Sequence, residues 1–204
     1  MLIPGCKKLI FATQNPNKVK EIKLKLGEGI SIISLIDLDY VQEIEEHGNT
    51  LEENALIKAR HVYNLYGENC FSEDTGLEVF ALRNAPGVHT ARYAGEEKSA
   101  EANMDLLLKN LDNHEDRTAQ FRAVIALIFN GKEYLFEGIS RGQISITKRG
   151  NKGFGYDSIF IPEGYKQTFA ELDQVEKAAL SHRSRAFEQL VGFIKENCKD
   201  LSNH

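Results

Sequence analysis

The sequence predicts an α/β fold built on a mixed β-sheet flanked by helices. Three observations carry that expectation. Short apolar runs alternate with amphipathic helical stretches in the first half of the chain, as in "KKLIFAT" (7–13), "NPNKVKEIKLKL" (15–26) and "ISIISL" (30–35). A long pair of strand-like segments, "RTAQFRAVIALIFNGKEYLFEGISRGQIS", is joined by Asn130-Gly131, a dipeptide favoured in two-residue hairpins. No repeat, low-complexity tract or Pro/Ser-rich linker interrupts the 204 residues, so residues 1–204 read as a single domain.

Each element has its own signal. The helix over 15–26 places Val19, Ile22 and Leu26 on one face and lysines elsewhere. "TLEENALIKARHVYNLYG" (50–67) is a helix with Thr50 as N-cap, Glu53 completing a capping box and Gly67 as stop. "CFSEDTGLEVFAL" (70–82) reads as strand–turn–strand, with Gly76 making the turn. "APGVHTARYAG" is a loop with a helical turn, and "AEANMDLLLKNL" is an amphipathic helix. Phe121 to Phe129 is apolar on both faces apart from Arg122, which predicts a central strand. "GNKGFGYDSIFIP" is a Gly-rich loop running into a strand. The last helix, "SHRSRAFEQLVGFIKENC", buries Phe187, Leu190, Val191, Ile194 and Cys198.

Composition narrows the function classes. An apolar fraction of 42% and a charged fraction of 27% are those of an ordinary globular protein. No apolar run approaches membrane-span length, and "MLIPGCKKLIFAT" lacks the plan of a secretory leader. Three widely spaced cysteines (Cys6, Cys70, Cys198) without a CxxC pair argue for a reducing compartment and against a disulfide scaffold or structural zinc, so a cytoplasmic protein is expected. A net charge of −5 argues against a nucleic acid polymer as partner, but leaves room for a small anion held by a few focused cations.

Five constellations could carry chemistry. "FATQNPNK" ends a strand in a polar turn and opens a helix, where free N–H groups suit phosphate. Thr13 and Asn15 add donors there, and Lys18 adds a charge that opposes the helix dipole. The alternative is a capping Asn15 and a solvated Lys18. Lys58 falls within the apolar stripe of its helix, between Leu51, Val62 and Leu65, where a lysine needs an anionic partner or must snorkel. Glu45-Glu46 and Glu73-Asp74 supply hard carboxylate oxygens of the kind Mg²⁺ takes. A solvated acidic loop and an Asx turn are the plainer readings. In "NKGFGYD", Gly153 and Gly155 free the backbone, Phe154 offers a stacking face, and Tyr156 and Asp157 can bond a sugar or base. The plainer reading is a tight turn with a core Phe. In "VEKAALSHRSRAF", Ser181 reads as an N-cap that places His182 and Arg183 in a first turn, with Lys177 four residues before it. An anionic ligand would reconcile these three, as would ordinary surface pairing.

Together the blocks "FATQNPNK", "TLEENALIKAR", "SEDTG", "PGVHTARYAG", "GFGYD" and "EKAALSHRSRA" resemble, in order and over nearly the whole chain, the inosine triphosphate pyrophosphatase family of non-standard purine nucleoside triphosphate pyrophosphatases. The resemblance implies an elongated mixed sheet with two lobes and a substrate cleft between them, a homodimer and Mg²⁺. It implies that Thr13, Gln14, Asn15, Pro16, Asn17 and Lys18 form the turn that meets phosphates. Asp74 corresponds to the metal-binding, water-activating carboxylate, and Thr75 to a substrate contact. One of Glu45 and Glu46, with Glu45 preferred, corresponds to a second metal ligand, and Glu73 stands as a further candidate. Phe154, Gly155, Tyr156, Asp157, Lys177, His182 and Arg183 correspond to nucleoside- and phosphate-binding positions.

The implied reaction is hydrolysis of ITP, dITP or XTP between the α- and β-phosphates, removing deaminated purines from the nucleotide pool. Asp74 would prepare the water, Lys18 and Lys58 would stabilise the transferred charge, and magnesium would meet Glu73-Asp74. Two positions depart from the pattern: Gln14 stands where glycine is common, and Glu73 where bacterial members often carry Asp. Two rivals remain. One is a Maf-like pyrophosphatase of pyrimidine or modified nucleotides. The other is a nucleotide-binding module without turnover, against which Asp74 and both lysines speak.

Overall fold

The computed structural model describes residues 8–26 and 30–199, without the side chains of Asn17, Leu26 and Cys198. The expectations for Cys6, and for the side chains of Asn17, Leu26 and Cys198, therefore lie outside the described residues. A seven-stranded mixed sheet orders its strands β2-β1-β3-β5-β6-β7, with β4 (Ala85–Gly87) paired to β3. The fold class is the α/β mixed sheet that the alternating pattern predicts. The chain divides into two compact units: residues 1–74, 124–137 and 185–204, and residues 75–123 and 138–184.

The first unit begins with β1 (Lys8–Phe11), α1 (Pro16–Leu26) and β2 (Ser31–Ser34), and β1 pairs in parallel with β2. The helix α2 (Leu51–Tyr66) then returns the chain to β3 (Cys70–Val79), whose start runs parallel to β1 on the other side. Such parallel crossovers bury both faces of a strand, and Leu9, Ile10 and Phe11 are all inaccessible to solvent. Phe11 and Phe71 stack with centroids 4.3 Å apart, and Phe187 of α5 (His182–Lys199) meets both edge-on. The predicted stripe of α5 is buried at Phe187, Leu190, Val191 and Ile194.

Capping places α2 as its sequence predicts, with one shift. Thr50 Oγ1 accepts the Glu53 N–H, and Gly67 ends the helix at φ 65°, in the left-handed region. The Glu53 carboxylate, however, accepts from the Asn49 N–H at 2.6 Å. The turn between β5 (Thr118–Phe129) and β6 (Lys132–Ile144) has positive φ at both Asn130 and Gly131, the backbone that a primed two-residue turn requires. The strand β5 lies between β3 and β6, in the sheet interior, as its two-sided apolar pattern predicts.

The second unit packs α3 (Ala100–Asn110), β7 (Phe160–Pro162) and α4 (Gln174–Leu180) around Leu77, Leu107, Leu111, Phe121, Phe160 and Phe169. The short helix α4 has no apolar period of its own to announce it. Its signal is Asp173, whose carboxylate accepts from the N–H groups of Val175 and Glu176.

One expectation is overturned. Residues 70–82 are not strand–turn–strand: β3 runs unbroken from Cys70 through Gly76 to Val79, and Leu77 to Val79 pair with β4. The two carboxylates do not break the strand because each finds a cationic partner in place. Within β3, burial pushes the Cys70 thiol up to about 12, and its sulfur lies 3.3 Å from the Ala59 carbonyl oxygen.

Cys70 is therefore expected to resist iodoacetamide in the native protein at neutral pH and to label on unfolding, read by peptide mass spectrometry. The folded state keeps this proton where an unfolded cysteine, with a pKa of about 8.5, has lost it. Stability should accordingly fall as pH rises from there towards 12.

Candidate active site

The first unit gathers Lys18, Glu46, Lys58, Glu73 and Asp74. The strand β3 sets their directions, because successive side chains point to opposite faces. Cys70, Ser72 and Asp74 face α2, where Ala55 and Ala59 are small enough for the strand to approach. The Ser72 hydroxyl donates to the Ala55 carbonyl. Phe71 and Glu73 face the other way, towards Phe11 and Lys18.

Lys58 is 8% exposed, in the buried stripe of α2 where its helical position predicts it, although Leu65 is exposed. Its ammonium lies 2.8 Å from Glu46 Oε1 and 2.8 Å from Asp74 Oδ1. Burial alone would depress the Lys58 pKa; the two carboxylates outweigh it and hold the group above its ordinary value. Burial raises the Asp74 pKa and Glu46 adds to the rise, against the opposing pull of Lys58 and Lys18. Asp74 is thus a carboxylate with heightened proton affinity. The other acid of its strand, Glu73, is buried and meets the Lys18 ammonium at 3.2 Å.

Of the adjacent pair before α2, Glu46 reaches this group, while Glu45 is exposed. The segment that carries Glu46 is pinned just after it. Gly48 N–H donates to Asn54 Oδ1 at 2.8 Å, and Asn54 is buried. A Cβ on Gly48 would lie 2.6 Å from Glu53 Cβ and 2.7 Å from Asn54 Oδ1, so the close approach needs glycine. The sequence reading gave Asn54 no role. Its signal was the one that exposed Lys58, a polar side chain on an apolar stripe.

The turn after β1 is held by its own side chains. Thr13 Oγ1 accepts the Asn15 N–H at 3.1 Å, and Asn15 Oδ1 caps α1 by accepting the Lys18 N–H at 3.4 Å. Pro16 opens the helix, and its first turn holds no acid. The side chains of Gln14 and Asn15 are exposed.

The second unit holds the other candidates. Gly153 and Gly155 have φ of +83° and +63°, and between them the Phe154 ring is 68% exposed. The loop is closed by Asp157, whose carboxylate accepts the Phe154 N–H at 2.7 Å and pairs with Lys177. The Lys177 ammonium also lies 5.1 Å from the Phe154 ring centroid. Tyr156 is a core residue whose hydroxyl donates to the Thr90 carbonyl at 2.9 Å. Tyr156 and Asp157 thus hold the loop, leaving Phe154 as its outward face. The His182 ring stacks on Phe121 at 4.9 Å, with Arg183 next to it in the first turn of α5 and half-buried. Thr75 follows Asp74 in β3 and is half-buried too.

Among the described residues no three His, Cys, Asp or Glu side chains converge. The Glu46–Asp74 pair still fits a hard divalent cation. Both acids direct an oxygen at one cationic point, and Mg²⁺ commonly takes one or two protein carboxylates, filling its remaining positions with substrate phosphates and water.

Comparison with known proteins places this arrangement. The family model described as "Ham1 family" matches residues 9–193. The chain belongs to the Ham1 family. A Ham1 relative from Christiangramia forsetii, named dITP/XTP pyrophosphatase, is 51% identical over 189 residues, covering 93% of this chain and 100% of its own. One from Flavobacterium johnsoniae with the same name is 49% identical, covering 92% and 97%. The solved structure of the Staphylococcus aureus Ham1 protein superposes with a TM-score of 0.89 at 37% identity, covering 94% of this chain and all of that one.

A Gly48→Ala substitution is expected to displace the segment carrying Glu46. Chemical denaturation should show a loss of about 1–3 kcal/mol, the usual cost of overpacking. An equally stable Gly48→Ala protein would mean that the segment is not pinned as described.

Proposed function

We propose that this chain hydrolyses the non-standard purine nucleoside triphosphates ITP, dITP and XTP to the monophosphate and pyrophosphate, with Mg²⁺ as cofactor. The observation that carries this reading is the buried Lys58 ammonium bridging Glu46 and Asp74, in a chain whose relatives of about half identity are named dITP/XTP pyrophosphatases. Three carboxylates (Glu46, Glu73, Asp74) and two lysines (Lys18, Lys58) leave this group with a net charge of −1. A polyanionic triphosphate would be repelled unless a cation came with it.

Glu46 and Asp74 would hold that cation, which supplies charge neutralisation at the phosphates when bound. Glu45, favoured by the sequence alone, stands away from the lysine, so the second ligand is assigned to Glu46. Asp74 takes the proton of the attacking water, a role suited to a carboxylate whose proton affinity is raised by burial. The new bond joins water oxygen to the α-phosphorus, the bond from that phosphorus to the bridging oxygen breaks, and pyrophosphate leaves. Lys18 and Lys58 offer ammonium charge to phosphate oxygens, and the N–H groups of the 13–18 turn bind the chain of phosphates.

Phe154 stacks on the base, and Lys177, His182, Arg183 and Thr75 bind the nucleotide. A donor placed for a 6-oxo group would be left facing the 6-amino group of adenine, which rejects ATP. The whole chain acts as one catalytic domain, works in the cytoplasm and forms a homodimer; the last point rests on the family resemblance. Among the described residues no helix is long and apolar enough to cross a membrane.

Pyrophosphate release should be strong with ITP, dITP and XTP and weak with ATP, GTP and dTTP, and EDTA should abolish it. A preference for dTTP would transfer the chain to the Maf-like reading, and tight ITP binding without turnover would make it a sensor. Asp74→Asn is expected to lower kcat by roughly 10²–10⁴-fold while leaving nucleotide binding measurable by calorimetry. Glu46→Gln should cost at least roughly tenfold and Glu45→Gln almost nothing, since only Glu46 reaches Lys58. Phe154→Ala should raise KM roughly tenfold, in line with about 1–3 kcal/mol for a base–aromatic stack. An unchanged KM there would remove Phe154 from the base site.

A further inference from the structure

Gln14 is the residue of the substrate turn that departs from the family pattern, and the structure shows where its side chain goes. Both N–H bonds of its amide nitrogen are used within the protein. Nε2 donates to the Tyr40 carbonyl at 2.8 Å and to the Gln42 carbonyl at 3.2 Å. Two further bonds secure the same stretch: Leu35 N–H donates to the Thr13 carbonyl at 3.1 Å, and Tyr40 N–H to the Leu35 carbonyl at 3.0 Å. Tyr40 is also tied to α2. Its hydroxyl lies 2.7 Å from His61 Nε2, and the two rings meet edge to face, 5.8 Å apart. His61 is three residues after Lys58, less than one helical turn away.

The segment that ends in Glu46 is thus strapped at both ends. Beyond Glu46, Gly48 and Asn49 bond to Asn54 and Glu53 of α2. Before it, Gln14 and the Tyr40–His61 pair are the fastenings. A glycine at position 14 would have no side chain with which to make the first of them.

We infer that Gln14 is a positioning residue: its side-chain amide straps the 40–42 segment to the substrate turn and thereby holds Glu46 against Lys58, instead of contacting substrate. The inference deepens the proposed function and rests on it for its kinetic consequence. The strap itself does not depend on it.

The test compares wild type with Gln14→Gly, Gln14→Glu and Tyr40→Phe. Hydrogen–deuterium exchange over residues 36–48 is measured without nucleotide, and steady-state kinetics are measured with dITP. Gln14→Gly removes the amide, and Gln14→Glu sets an acceptor against two carbonyls. Tyr40→Phe removes only the bond to His61. Exchange in this segment should rise roughly tenfold in all three variants, as the loss of one or two exposed hydrogen bonds implies, with little change in the core strands. The kcat for dITP should fall several-fold with KM within about twofold, because a loosened Glu46 affects chemistry more than binding.

A tenfold rise in KM for the Gln14 variants with unchanged exchange would overturn the inference and make Gln14 a substrate contact. Unchanged exchange and unchanged kinetics would overturn it equally. If wild type fails to hydrolyse dITP, the functional reading falls, and the exchange measurement still decides whether the strap exists.

Discussion

A lysine buried between two carboxylates constrains the arrangement of the first unit. Lys58 can occupy the apolar stripe of α2 only because Glu46 and Asp74 meet it there, and breaking such a buried pair on one side costs about 3–5 kcal/mol. Three separate pieces of chain must therefore arrive together: a helix, a strand and the loop between β2 and α2. Much else in the unit serves that convergence. Ala55 and Ala59 let β3 come close enough for Cys70 and Ser72 to bond helix carbonyls, and this aims Asp74 at the helix. Gly48 lets the loop pass tightly over Asn54, and this returns Glu46 to the same place.

The strand also separates two acids that are adjacent in sequence. Neighbours in an extended strand face opposite sides, so Glu73 and Asp74 meet different lysines from different helices. A single cation touching both side chains would have to overcome that alternation, whereas Glu46 and Asp74 already converge on one point. The metal pair therefore follows from strand geometry rather than from closeness in the sequence. The partner expected from the sequence for Glu73-Asp74 was magnesium; in the structure each acid is met by a lysine, so the carboxylates stay in place whether or not nucleotide is bound.

The legible part of the chain was the part whose signals are local. Helix α2 could be read from Thr50 and Gly67, the hairpin from Asn130-Gly131, and the central strand from the apolar run of 121–129. Lys58 was legible because a charged residue on an apolar stripe needs an explanation from a single helix. What could not be read depends on contacts far apart in sequence. "SEDTG" looked like a turn because the lysines that let it continue as strand lie 16 residues and more before it. Glu45 and Glu46 are indistinguishable without knowing which way the loop passes over Asn54. The amide of Gln14 bonds carbonyls 26 and 28 residues away, beyond any local pattern.

The loop of the second unit shows the same logic applied to an aromatic ring. Left to hydrophobicity alone, a phenylalanine beside a core of Phe121, Phe160 and Phe169 would turn inward. It does not, because its neighbours commit the backbone. Tyr156 is drawn into the core and bonded to Thr90, and Asp157 is bonded to both the Phe154 N–H and Lys177. Gly153 permits this closure, since a Cβ there would lie 2.1 Å from the Asp157 carboxylate. With both flanking residues glycine and both following residues anchored inward, Phe154 is left 68% exposed on a fixed loop. Keeping that much apolar surface in water is unfavourable, and the loop spends several specific bonds to maintain it. A flat ligand that stacks on the ring recovers that burial without any rearrangement of the loop, which suits a site that must accept a purine base and release it at each turnover.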